Sequence, residues 1–206
     1  MKTKSKKIVK KIIFSKLSPS QKRVAIARDV LEQIRLGRYV ANAGSYIDEL
    51  VMKDGKERYE MYGKDIKHNF SKIKSCEVCA MGACLMSITK FENKLNFEDV
   101  GNKISDLDKE KTKELFSSLF EPSQLLMIER AFEGDYLGTT VGGNIFDLDE
   151  YDFKKQIAKC EDFFQRFNKE EGIGYDELKE QKRLNQENRM IAIMKNIIRN
   201  KGTFKL

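Results

Sequence analysis

Four cysteines and one histidine bound the chemistry open to this chain of 206 residues. Cys76-x-x-Cys79 followed by Cys84 is the most metal-like arrangement, because thiolates bind zinc and a two-residue gap recurs in structural sites. No fourth ligand lies nearby. On a continuous helix Cys84 sits about 140° around the axis from the Cys76–Cys79 face, so His68 or Cys160 could join only through tertiary placement. A redox role for Cys-x-x-Cys lacks the preceding strand of a βαβ unit. Small thiols packing a crowded helix are the simpler reading, and no metal or cofactor is expected.

Gly138-Thr-Thr-Val-Gly142-Gly143-Asn could cradle an anion through its backbone N–H groups, but no Lys-Ser or Lys-Thr follows the glycines, so it reads as a loop. The acids of Asp147-Leu-Asp149-Glu150-Tyr-Asp152 fit no calcium-loop spacing, nor do those of 168–177, and capping explains them. With no Ser-His-Asp set, no nucleophile elbow and His68 alone, no catalytic constellation stands out. The expectation is a non-enzymatic protein without a small-molecule substrate.

The elements that would carry these residues are mostly helical. Ser18-Pro19-Ser20-Gln21 reads as an N-cap, a first-turn proline and a capping box, and Gly37 sits where a left-handed C-cap belongs. Between them Val24, Ala27, Val30, Leu31 and Ile34 form an apolar stripe, with Lys22, Arg28 and Arg35 elsewhere on the helix. Residues 39–56 read as short strands or irregular loop, and 56–74 as a surface helix carrying His68. Cys76 to Ile88 reads as a buried central helix. Further helices are expected from Ser105, from Pro122 to Gly134, after the Asp147–Glu150 capping box, and from Tyr175 to Asn200. The last has a polar first half and an apolar second half. The fold class expected is mainly α: a compact bundle of six or seven helices with a short irregular or β segment near residues 39–56. Residues 1–17 are expected to form a basic N-terminal arm and 18–206 a single helical domain.

The net charge of +7 is unevenly spread. Residues 1–38 hold twelve Lys or Arg against Asp29 and Glu32, a net +10, while residues 92–162 carry −8 and residues 175–206 carry +4. Basic ends around an acidic middle suit a polyanion or an acidic protein surface as partner, or else pair internally. No zinc-finger, basic-zipper or single-strand-binding sheet pattern accompanies the charge. With no membrane-spanning run and no secretory signal, a cytoplasmic location is expected.

Three segments taken in order are more specific: Arg23-Val-Ala-Ile-Ala-Arg-Asp-Val-Leu-Glu-Gln-Ile34, Cys76-Glu-Val-Cys-Ala-Met-Gly-Ala-Cys-Leu-Met-Ser87 and Pro122-Ser-Gln-Leu-Leu-Met-Ile-Glu-Arg-Ala-Phe-Glu133. They cover about a third of the chain and resemble a family of small uncharacterised proteins from phages, prophages and bacterial genomes. That family carries no enzymatic activity and no ligand set to transfer. Within this class the chain is similar to phage-encoded anti-CRISPR inhibitors of a type VI-B effector. The resemblance implies an inhibitor acting in the bacterial host cytoplasm, with an RNA-guided RNase ribonucleoprotein or its guide RNA as partner. The residues expected at such an interface are Lys6, Lys7, Lys10, Lys11, Lys22, Arg23, Arg28, Arg35 and Arg38, with Tyr39 and Tyr46 as aromatic anchors. The alternatives are a DNA- or RNA-binding regulator and a small structural-zinc protein built on Cys76, Cys79 and Cys84.

Overall fold

The computed structural model describes residues 13–44, 46–54, 57–58, 70–91, 114–134, 154–168 and 175–206. The first long helix, α1 (Pro19–Arg35), begins as its sequence dictates. Ser18 Oγ accepts the Gln21 backbone N–H at 3.4 Å, and Gln21 Oε1 accepts the Ser18 N–H at 3.0 Å, with Pro19 in the first turn. At the other end Gly37 adopts φ 66°, and the N–H groups of Arg38 and Gly37 return to the carbonyls of Gln33 and Ile34. This is a Schellman closure, and it needs a residue tolerant of the left-handed region.

The long helices that follow are α2 (Ala80–Phe91), α3 (Pro122–Glu133), α4 (Lys154–Gln165) and α5 (Tyr175–Arg199), with a short helical stretch at 114–117 before α3. Helix α1 packs against α5 and α2, while α3 packs against α4, α5 and α2. Residues Ala80 to Thr89 of α2 are buried all round. A helix with no polar stripe has to sit inside, and each fully buried Leu, Ile or Met there contributes about 1.5–3 kcal/mol. The molecule is mainly α, as its periodicity predicts.

A four-stranded sheet accompanies the helices. Strands β1 (Tyr39–Ala41), β2 (Ile47–Met52), β3 (Glu57–Arg58) and β4 (Ile73–Val78) lie in the order β1-β4-β2-β3, with β1 and β4 parallel and the other pairs antiparallel. Two expectations are corrected here. Cys76 to Val78 belong to β4, with Cys79 between strand and helix, so the continuous helix expected from Cys76 starts only at Ala80. The surface helix expected over 56–74 is replaced at its described ends by β3, a 3-10 turn (Phe70–Lys72) and the start of β4.

The register explains why β4 is hard to read. Ile47 faces Val78 and Leu50 faces Cys76, so β2 gains a residue there; Val51 faces Ser75 and Met52 faces Ile73, so β4 gains one at Lys74. Each bulge flips the in-out alternation. The buried positions fall at 47, 50 and 52 on β2 and at 73, 76 and 78 on β4, so neither strand shows the strict alternation of a half-buried strand.

The capping box at Asp147 and Glu150, the glycine loop over 138–143, the helix start at Ser105, Lys6 to Lys11 and His68 lie outside the described residues. Phe14 of the expected arm, in a 3-10 turn (Phe14–Lys16), is buried and stacked on Phe91, with ring centroids 4.7 Å apart and planes 6° apart.

Gly82 faces the backbone of Tyr46, where an added Cβ would lie 1.5 Å from the Tyr46 carbonyl oxygen. Backbone cannot give way as a side chain does. Gly82→Ala is therefore expected to destabilise the protein by more than about 2 kcal/mol. Gly37→Ala meets open space and costs about 1 kcal/mol through its positive φ. Urea denaturation of both variants checks the contrast, and equal losses would contradict the close approach.

Candidate functional site

The two ends of the described chain meet. Helix α1 lies along α5, and Gly202, at φ 98°, presses against the backbone of Ser20, where an added Cβ would come within 2.4 Å of the Ser20 carbonyl oxygen. Phe204 continues into the core, its N–H donating to Gln124 Oε1 at 2.7 Å. The basic stretch of α1 and the basic end of α5 therefore share one region of the surface.

A groove of about 720 Å³ opens where the Phe14 turn, α1, the end of α2 and the end of α5 come together. Phe14, Leu17, Val24, Ala25, Phe91 and Ile198 supply its apolar lining, while Arg28, Lys201, Ser20 and Gln21 supply polar groups. Asp29 also lines it. Its Oδ1 accepts from Gln33 Nε2 at 3.0 Å and pairs with Lys90, whereas its buried Oδ2 has no hydrogen-bond partner among the described residues.

Lys201 has an unusual backbone. Its φ is 54°, and its N–H bonds the Ile198 carbonyl while the Gly202 N–H bonds that of Ile197. A lysine thus occupies the left-handed position of a Schellman closure where glycine is the usual occupant. Such a conformation disfavours a side chain bearing Cβ, and Lys201 holds it at the rim of the groove.

The expected interface residues divide. Arg28 is exposed and makes no ion pair among the described residues. Lys22 is half-buried with its Nζ 5.2 Å from the Phe14 ring centroid. Arg35 is exposed but bonds both oxygens of Glu32, at 2.8 and 2.6 Å, which raises its pKa and lowers that of Glu32. Arg38 donates to Gln33 Oε1 at 3.2 Å.

Arg23 points inward. Its Nε donates to the Gly202 carbonyl and its Nη1 to the Leu119 carbonyl, so its guanidinium joins internal parts of the chain. Burial lowers its pKa, and Glu121 acts against that. The packed face of α1 runs through Ile26, Ala27, Val30, Gln33 and Ile34. Arg23 stands one turn before Ile26 and Ala27 on that face. Tyr39 is 3% exposed, with its hydroxyl 3.4 Å from Ser87 Oγ, and so sits within the core instead of on a surface. The Tyr46 hydroxyl is buried without a hydrogen-bond partner among the described residues, and burial raises its pKa.

The sequence reading missed Lys201, and it missed the exposed Lys16, Lys195, Arg199 and Lys205 around the same chain ends. Their signal was the +4 of the C-terminal stretch, but nothing in the sequence brings that stretch beside α1. Their side chains make no ion pair among the described residues.

The thiols are enclosed. Burial pushes Cys84 and Cys160 up to about 12 and Cys79 well above its ordinary value, and the Cys79 sulfur accepts the Gly82 N–H at 3.4 Å. Cys76 on β4, Cys79 and Cys84 on α2 form no group of three or more metal-ligating side chains among the described residues. No helix there is long and apolar enough to cross a membrane. The chain matches no protein-family model, and no curated protein or solved structure is significantly similar to it.

Two measurements check this division. Arg23→Gln, which gives up two charge-assisted bonds, is expected to lose about 2–4 kcal/mol of stability, and Arg28→Gln to stay within about 0.5 kcal/mol of the parent. The four thiols should alkylate slowly at pH 8 in the native protein and quickly in guanidinium, because all four are buried and the raised pKa of Cys79, Cys84 and Cys160 leaves those three little thiolate. Fast native labelling of Cys79 or Cys84 would contradict the enclosure.

Proposed function

We propose that the protein is a non-enzymatic inhibitor, carried by a phage, that binds an RNA-guided RNase effector of the type VI-B class stoichiometrically. Its working surface is the basic face where α1 and the end of α5 meet, and it engages the guide-RNA backbone or an acidic surface of the effector. The observation that carries the binding half is the convergence of Arg28 and Lys201 on one groove, where neither makes an ion pair among the described residues. Lys and Arg in such a position displace condensed counterions from a phosphate backbone. The inhibitor half rests on the likeness to phage-encoded inhibitors alone; the three segments support only the likeness to small phage and prophage proteins.

A second reading, a regulator that binds free DNA or RNA, draws on the apolar lining beneath the cations, on which unstacked bases could lie. It requires affinity for free nucleic acid that falls by about 0.7 log unit per log unit of salt for each single-strand phosphate neutralised. A labelled RNA that stays unbound at low salt removes it.

Titrating the purified protein into a target-cleaving effector ribonucleoprotein tests the first reading. Cleavage should stop near one equivalent, whereas inhibition far below one equivalent would contradict a stoichiometric binder. Lys201→Gly separates binding from folding. It relieves the left-handed lysine and is expected to raise stability by about 1 kcal/mol while weakening inhibition. A variant both more stable and equally inhibitory would remove Lys201 from the interface.

A further inference from the structure

The two sides of helix α1 are used differently. Ile26, Ala27, Val30, Gln33 and Ile34 turn into the core, and at about 100° per residue Ser20, Gln21, Val24, Ala25 and Arg28 fall on the opposite side, along the groove. Those five positions recur at helical spacing and run about 12 Å along the axis, a little over two turns. Leu17 from the Phe14 turn, Phe91 from α2 and Ile198 from α5 extend the apolar lining beside them.

The part of this lining open to a partner is aliphatic. Leu17, Val24, Ala25 and Ile198 are half-buried, so each keeps some apolar surface uncovered. Phe14 is 6% exposed, with one ring face on Phe91 and Lys22 Nζ 5.2 Å from its centroid, which leaves little ring for a nucleobase to stack on. Aliphatic side chains along a helical face are what an amphipathic helix seats its own apolar stripe against.

Charge at the rim selects among such helices. Arg28 and Lys201 are exposed and make no ion pair among the described residues, and Asp29, the acid among the lining residues, is tied to Lys90. The sequence on either side adds no acidic excess. Residues 1–12, which lead into the Phe14 turn, hold six lysines and no acid, and Glu92-Asn-Lys94 after Phe91 carries one charge of each sign.

We propose that the groove seats an amphipathic α-helix of a partner protein, about three turns long, whose apolar stripe is flanked by Asp and Glu that meet Arg28 and Lys201. This rests on the reading of the groove as the working surface and commits that surface to protein over RNA. The aliphatic contact supplies the hold, and the rim charges choose the partner and set its direction.

The test is a fluorescence-anisotropy titration of the full chain into a labelled peptide of about twelve residues, with Leu at i, i+3 or i+4 and i+7 and Glu elsewhere. Saturable binding is expected, with a scrambled peptide of the same composition and a single-stranded RNA each about tenfold weaker or more. Arg28→Glu/Lys201→Glu, at two exposed positions, should weaken the acidic peptide about tenfold and tighten a counterpart with Lys in place of Glu, while Lys155→Glu on α4 changes neither. Equal binding of the scrambled peptide, preference for the RNA, or a dimer of this chain that the acidic peptide fails to displace would overturn the proposal. An effector-cleavage assay on the same variants separates the two readings. Inhibition that persists when peptide binding is lost overturns the helix and spares the inhibitor, whereas peptide binding without any inhibition supports the helix and removes the effector as partner.

Discussion

The guanidinium of Arg23 ties together parts of the chain that are far apart in sequence: helix α1, the carbonyl of Leu119 ahead of α3, and the carbonyl of Gly202 beyond α5. Hydrogen bonds from a charged donor to half-buried carbonyls are among the stronger contacts a protein makes, each about 1.5–3 kcal/mol. Beside them Gly202 meets Ser20 at a distance only glycine permits. These contacts hold the two basic ends of the chain side by side. The groove, the cations around it and the left-handed Lys201 all follow from that approach.

The cations therefore have separate duties. Arg23 holds the fold, Lys90 holds Asp29 beside α1, and Arg35 is tied to Glu32 within its own helix. In the proposed function Arg28 and Lys201, which line the groove, would be the ones to meet a partner, with the exposed Lys16, Arg199 and Lys205 around the same ends. Exposed cations left without an internal partner add little to stability, and their value lies in the field they set up outside the molecule.

Local signals in the sequence carried much of this. The Ser18–Gln21 capping box and the Gly37 closure appear residue for residue, as does the buried character of Ala80 to Ile88, because each depends on neighbours within a few positions. Strand β4 was not legible: its bulge at Lys74 turns its alternation into a spacing of three and two, and the small apolar run after it extends the helical impression backwards. Arg23 was misjudged for a similar reason. An apolar stripe drawn through Val24 and Leu31 puts residue 23 on the wet side, but the packed face runs through Ile26 and Gln33. Tyr39 reads as an exposed aromatic until pairing with Cys76 places it at the sheet's buried face. The groove was beyond reach, since it is assembled from four elements distant in the chain.

Amine acylation of the protein, alone and in complex with the effector ribonucleoprotein, followed by mass spectrometry, addresses the basic face most directly. The account predicts that Lys16, Lys22 and Lys201 are protected in the complex while Lys155 and Lys159 on α4 react as before. Protection confined to α4, or none at Lys201, would contradict it.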